Sequence, residues 1–97
     1  MNNCICENFS DPIRDRSDAV ERCRHYQEIS AGLDRRWVDS SKWMAVAICE
    51  DCGQLWAEEA SPFGTNHGGG FDCYYQIETD DPAGWLRDAN RFISSLQ

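Results

Sequence analysis

The hydrophobic pattern in the middle of the chain predicts a β-hairpin. Residues 42–49 form an almost continuous apolar run, which is typical of a strand buried on both faces. Residues 54–59 predict a returning strand, and residues 73–79 a third, in which alternate side chains point to opposite faces. The segment near residues 36–38 allows a short extra strand. The pattern therefore predicts a small antiparallel sheet of three to four strands.

Helical spacing predicts two helices around this sheet. Ala19, Cys23 and Tyr26 recur at near-helical intervals, so one helix is expected over residues 13–31, with Gly32 as its stop. A second helix is expected to begin at residues 80–82, Asp-Asp-Pro. Its apolar stripe comprises Trp85, Leu86, Ala89, Phe92, Ile93 and Leu96. We predict a single α+β domain over residues 1–97, in which two helices pack on the sheet.

Four of the six cysteines form two compact pairs. Cys4 and Cys6 begin the chain, and Cys49 and Cys52 form a Cys-x-x-Cys turn followed by Gly53, a knuckle of the zinc-ribbon kind. No secretory signal or membrane-spanning run is visible, so we expect a cytoplasmic location, where such pairs indicate metal rather than disulfides. Together the pairs predict a four-thiolate zinc site. It would be structural, because four protein ligands leave no position for a reacting water.

Other ligand sets and another chemistry stay open at this point. The Cys-x-Cys spacing is shorter than the usual ligand spacing, so His67 or Cys73 could supply a ligand instead. A lone Cys-x-x-Cys also fits a thiol redox protein, although redox pairs of the thioredoxin type begin a helix, and a strand is expected here. Cys23 and Cys73 are then left over, and we expect them to behave as small buried hydrophobes.

Charge is distributed unevenly along the chain. The formal net charge is −8; residues 1–48 carry seven basic and eight acidic side chains, whereas residues 49–97 carry two basic and nine acidic ones. Such a protein is repelled by nucleic acid and by anionic lipid, so we expect neither as a partner. It attracts cationic proteins and associates with them faster.

Acidic and aromatic residues are interleaved in the second half, which is typical of a surface that binds a basic protein. The candidate partner-binding residues are Glu50, Asp51, Trp56, Glu58, Glu59, Asp72, Tyr74 and Glu78. The alternative is that the aromatic residues belong to the core and the acids form a solvated face.

The sequence gives little indication of catalysis. Cys73 and His67 could form a nucleophilic pair, but no third group that would orient the histidine is evident. The glycine run at residues 68–70 lacks the Lys-Ser/Thr that follows in a phosphate-binding loop. We therefore expect a protein that is not an enzyme.

Five motifs together resemble a small bacterial immunity protein of polymorphic or contact-dependent growth-inhibition toxin systems. They are the N-terminal Cys-x-Cys, Arg-Arg-Trp-Val at 35–38, Cys-x-x-Cys-Gly-Gln-x-Trp at 49–56, His-Gly-Gly-Gly at 67–70 and Asp-Pro-x-x-Trp-Leu at 81–86. The resemblance implies a toxin inhibitor that binds a cognate toxin domain in the cytoplasm, often a nuclease with a cationic cleft. The other two hypotheses are a zinc-ribbon adaptor that bridges protein subunits and a thiol redox protein.

Overall fold

The computed structural model describes residues 4–62 and 71–96. The α-helices are α1 (Ile5–Asn8), α2 (Arg16–Cys23), α3 (Tyr26–Ala31) and α4 (Pro82–Asp88), and the strands are β1 (Leu33–Asp39), β2 (Met44–Cys49), β3 (Leu55–Glu59) and β4 (Cys73–Ile77). A 3-10 turn, Ile93–Ser95, follows α4. Over these residues, no helix combines the length and the apolar character that a bilayer crossing needs.

The four strands form one antiparallel sheet in the order β1-β2-β3-β4, so each strand pairs with its neighbour in the chain. This confirms the predicted α+β class, the cysteine hairpin as β2 and β3, and the extra strand as β1. A β-bulge interrupts the pairing of β1 between Arg35 and Trp37. Strand β2 is central and almost wholly buried, as its continuous apolar run predicted.

Helices cover both faces of the sheet. On one face, Met44 and Val46 pack with Leu86 of α4. On the other, Trp56 packs with Ile29 of α3 and with the apolar side chains of the N-terminal segment. The cysteine pairs belong to this second face, which therefore positions the candidate site.

The helix predicted over residues 13–31 is wrong at its start and in its middle. Helix α2 begins at Arg16 because the Asp15 carboxylate caps it, accepting the backbone N–H of Asp18 at 2.9 Å. The helix ends at Cys23, and α3 begins at Tyr26 after a short break. Two shorter helices thus replace one, and with α1 and α4 the described residues form four α-helices rather than the two expected.

The break lets two helices reach two different parts of the sheet. Helix α2 lies against β4, where Cys23 packs near Cys73 and Ile93. Helix α3 instead places Ile29 against Trp56 on the second sheet face. The break contains no glycine or proline, so no local sequence signal accounts for it. We attribute it to the packing of the two helices on different parts of the sheet.

The predicted C-terminal helix is correct at its start and wrong at its end. Asp81 caps α4 by accepting the backbone N–H of Gly84 at 3.1 Å, and Pro82 begins the helix, as predicted. The helix ends at Asp88, and Ala89 is already extended. The apolar stripe therefore continues into a separate 3-10 turn.

Candidate metal centre

The N-terminal segment and the β2–β3 hairpin bring four cysteine side chains together. Cys4 is the cap residue before α1, and Cys6 lies in its first turn. Cys49 ends β2, and Cys52 lies in the turn that leads to β3. In the part of the chain that the structure describes, these four form the one group of three or more His, Cys, Asp or Glu residues that could hold a metal ion.

The spacing of the sulfurs fits a tetrahedral metal centre. All four lie within 4.8 Å of one another, and the Sγ atoms of Cys6 and Cys52 are 3.4 Å apart. A zinc ion bound to four thiolates at about 2.3 Å separates the sulfurs by about 3.8 Å, so adjustments of less than about 1 Å would close the cage. Four thiolates so close together repel one another unless a cation lies between them.

The turn between Cys49 and Cys52 has the geometry that a metal knuckle requires. Gly53 adopts φ +82°, a conformation that favours glycine, as predicted. Its N–H donates to the Cys49 carbonyl at 2.9 Å, which closes the turn. Burial tends to raise the pKa of the Cys49 thiol, but the backbone N–H groups of Cys52 and Asp51 donate to it and lower the pKa overall.

Trp56 donates a hydrogen bond to the Cys6 sulfur from the buried side of the cluster. The indole ring is fully buried, and its Nε1–H donates to Cys6 Sγ at 3.2 Å. Burial raises the pKa of the Cys6 thiol, and this indole hydrogen bond opposes the rise. An indole can only donate, so the contact favours the thiolate form that a metal needs.

Gln76 fixes the N-terminal segment to strand β4. Its Nε2 donates to the carbonyl of Cys6 at 2.8 Å and to that of Phe9 at 3.2 Å. Alternation along β4 placed Gln76 on one face with Tyr74, but no sequence signal named its acceptors. The hydrogen bond from Trp56 to Cys6 was also missed, because the sequence analysis assigned Trp56 to a partner-binding surface.

The alternative ligands are not part of this group. Cys73 lies on the opposite face of the sheet, fully buried in a cluster with Ile13, Ala19 and Cys23, so its proposed role as a substitute ligand is wrong. Both leftover cysteines are buried in apolar surroundings, which confirms that expectation. His67 and the glycines at 68–70 lie outside the described residues.

Burial removes five of the eight candidate partner-binding residues from the surface, so this part of the prediction is wrong. The five residues, each 0–2% exposed, are Trp56, Glu58, Glu59, Asp72 and Tyr74. Their polar atoms form hydrogen bonds inside the fold, with other side chains or with the backbone. The interleaved pattern had suggested an exposed face, but strand alternation turns these positions towards the two helical layers.

Each buried carboxylate has specific partners. Glu58 receives two hydrogen bonds from the Arg35 guanidinium, at 2.8 and 3.1 Å. Glu59 accepts hydrogen bonds from the Tyr75 hydroxyl and from two backbone N–H groups of the C-terminal segment. Asp72 accepts the Ser61 N–H at 2.7 Å, which joins the two ends of the connection between β3 and β4. These contacts stabilise the fold and are unavailable to a partner.

The remaining three candidate partner-binding residues are exposed acids near the cysteine cluster. Glu50 and Asp51 lie in the cysteine turn, and Glu78 directly follows β4. Gln54 donates to the Ile77 carbonyl at 3.0 Å, so the end of β4 lies next to this turn. We call Glu50, Asp51 and Glu78 the acidic end; no ion pair joins them to a cation among residues 4–62 and 71–96.

Comparison of the chain with known protein families, with curated proteins and with solved structures finds no match. The arrangement of the described side chains is therefore the basis for assigning a function.

Proposed function

We propose that Cys4, Cys6, Cys49 and Cys52 hold one structural zinc ion. The observation that carries this proposal is the convergence of four thiol sulfurs within 4.8 Å, from two segments more than forty residues apart. Tetrahedral sets of four thiolates select zinc or iron–sulfur centres, and zinc is the usual ion for Cys-x-x-Cys knuckles on β-hairpins. With four protein ligands the centre is closed, so its role is to hold α1 on the hairpin and not to activate a substrate.

Metal content and stability test this proposal together. Protein purified under reducing conditions should contain one zinc per chain by elemental analysis. Chelation should lower the melting temperature, and the loss should reverse when zinc returns. Cys4→Ser should reduce zinc affinity, whereas Cys23→Ser, at a buried thiol outside the cluster, should leave the stoichiometry at one. A folded, ion-free wild-type chain whose melting temperature does not respond to zinc would contradict the proposal.

We further propose that the domain is a non-enzymatic immunity protein that binds a basic toxin domain through its acidic end. Two observations and one consequence of the proposed zinc ion support this. The acidic end is exposed and lacks described ion-pair partners, a thiolate-bound zinc adds two negative charges beside it, and Lys42 and Arg91 lie at the opposite end of the strands. A cationic protein would therefore be steered towards the metal-bearing end of the sheet.

Protection of cells is the direct test. Co-expression should neutralise a toxin encoded immediately upstream, and purified toxin domain should bind with an association rate that falls as salt increases. The double variant Glu50→Gln/Asp51→Asn should slow association, and Glu21→Gln/Glu28→Gln, on the exposed surface of α2 and α3, is the matched control for net charge.

Two other outcomes identify the competing functions. Binding that does not depend on salt would indicate the zinc-ribbon adaptor. A Cys49–Cys52 disulfide in a metal-free native chain would indicate the thiol redox protein. Failure to protect against any neighbouring toxin would contradict the immunity proposal and leave the zinc proposal unaffected.

A further inference from the structure

The four thiols of the metal centre differ in their access to solvent. Cys52 is exposed, Cys4 and Cys6 are partly buried, and Cys49 is buried. Thiol oxidation follows thiolate character and exposure, so Cys52 is the first sulfur that an oxidant in solution reaches. A zinc-bound cysteine is held as a thiolate, the form that reacts.

The Cys52 thiol is in hydrogen-bond contact with the Cys6 sulfur, and the two Sγ atoms are 3.4 Å apart. The two cysteines lie 46 positions apart in the chain. Cys49, although only three residues away, is buried and its sulfur accepts backbone N–H groups from within the turn. Cys6 is therefore better placed than Cys49 to react with an oxidised Cys52.

We propose that this centre is an oxidative modification site at which hydroperoxides convert Cys52 and Cys6 to a disulfide and release the metal. The inference rests on the proposed zinc function and adds its regulation. In the first step the Cys52 thiolate attacks the peroxide; an S–O bond forms, the O–O bond breaks, and the leaving oxygen takes a proton. Cys52 is now a sulfenic acid and a poor zinc ligand.

In the second step the Cys6 thiolate attacks Cys52 Sγ. The S–S bond forms, the S–O bond breaks, and the departing hydroxide takes a proton to become water. Two thiolates have lost two electrons, and the peroxide has gained them. Cys4 and Cys49 alone cannot complete a tetrahedral site, so zinc dissociates.

The product keeps the N-terminal segment attached to the hairpin, because a covalent bond replaces the metal link between the same two segments. Oxidation therefore removes the ion from beside the acidic end without freeing α1. Cys23 and Cys73 stay reduced, since both are buried on the other side of the sheet.

Peroxide treatment of the zinc-loaded full chain tests the proposal. Metal content is measured first, so a chain without zinc at that stage contradicts the zinc function and not the switch. Hydrogen peroxide should then release one zinc, detected with a chromogenic chelator, for each disulfide formed. Peptide mapping without reductant should find Cys6 joined to Cys52, and unfolding should expose Cys23 and Cys73 as alkylatable thiols.

Two variants separate the roles of Cys52. Cys52→His replaces the exposed thiolate with an imidazole, a ligand that zinc also accepts; its zinc content is measured before peroxide is added, and the peroxide-induced release should be lost. Cys23→Ser lies outside the cluster and keeps all four ligands, so it should release zinc and form the Cys6–Cys52 disulfide like the wild type. Retention of zinc by the wild type under peroxide, or a Cys49–Cys52 or Cys4–Cys6 disulfide, would overturn the proposal.

Discussion

Replacing Glu59 by glutamine should destabilise the fold although the side chain keeps its shape. The carboxylate is fully buried, and each of its oxygens has a partner. Oε1 accepts the Ile93 N–H at 3.0 Å, and Oε2 accepts the Phe92 N–H at 3.1 Å together with the hydroxyl proton of Tyr75. Glu59 thus holds the start of the C-terminal 3-10 turn against strand β3.

The magnitude follows from counting these acceptors. In either orientation of the new amide, its NH₂ group faces one of the two backbone N–H groups, which then lacks an acceptor inside the protein. Leaving a buried donor unsatisfied costs about 1–3 kcal/mol. The remaining hydrogen bonds weaken because the acceptor is no longer charged, while the cost of burying a charge disappears. We expect a net loss of about 2 kcal/mol in the free energy of unfolding.

Chemical and thermal unfolding give the measurement. A loss of about 2 kcal/mol corresponds to a fall of about 8–16 °C in melting temperature for a domain of this size. Urea unfolding of the reduced, zinc-loaded protein, followed by tryptophan fluorescence and circular dichroism, should show a lower midpoint with an unchanged slope. Zinc concentration must be the same for every variant, because a metal that binds only the folded state adds to the apparent stability.

Glu50→Gln provides the control, because it makes the same chemical change at an exposed position of the acidic end. Its stability should stay within about 0.5 kcal/mol of wild type. If Glu59→Gln were equally neutral, the buried carboxylate would not anchor the C-terminal segment, and the reasoning that moved Glu59 from the binding surface to the core would fail.

Three further predictions concern other polar groups of the fold. Lys42→Met should cost about 1–2 kcal/mol in urea unfolding, because Nζ donates to three carbonyls at the end of α4, at 2.6–2.8 Å. Burial, and then the nearby Glu58 carboxylate, raises the pKa of Tyr74 to about 12, and burial raises the pKa of Tyr75 further. Protons are thus held more tightly in the folded state, and stability should fall above about pH 10, with Tyr75→Phe reducing the slope in alkaline unfolding curves. Burial raises the pKa of Asp72, so its charge opposes folding at neutral pH, and Asp72→Asn should be neutral or stabilising in thermal unfolding because an amide oxygen can still accept the Ser61 N–H.

The cluster of four cysteines was largely predictable from the sequence because half of it is local. The turn is recognisable from residue types alone. The spacing of Cys49 and Cys52 is typical of a metal knuckle, and Gly53 favours the positive φ that follows it. The hairpin on either side of the turn was predicted from the apolar run at residues 42–49 and the strand pattern at residues 54–59. Only the pairing with Cys4 and Cys6 needed a long-range inference, which rested on the four ligands that a structural zinc site requires.

The buried acids could not be predicted, because composition says nothing about where a carboxylate points. Glu58 and Glu59 are adjacent in β3 and therefore face opposite sides of the sheet. Each is buried because a partner distant in sequence neutralises or solvates it, Arg35 in one case and the 3-10 turn in the other. Without that partner the same residues would be expected at the surface.

The C-terminal helix shows how such tertiary partners override a correct local pattern. From Trp85 to Leu96 the apolar stripe has helical spacing throughout, yet the helix stops at Asp88. Lys42 binds the last carbonyls of α4, and Glu59 binds the N–H groups that begin the 3-10 turn. A cation at a helix C-terminus and an anion at the next N-terminus are the charges that the two helix dipoles favour. Glu59 pairs with Met44 at the start of β2, and Lys42 lies two residues before Met44. The same end of the sheet thus supplies both charges and divides one amphipathic sequence into two helical pieces.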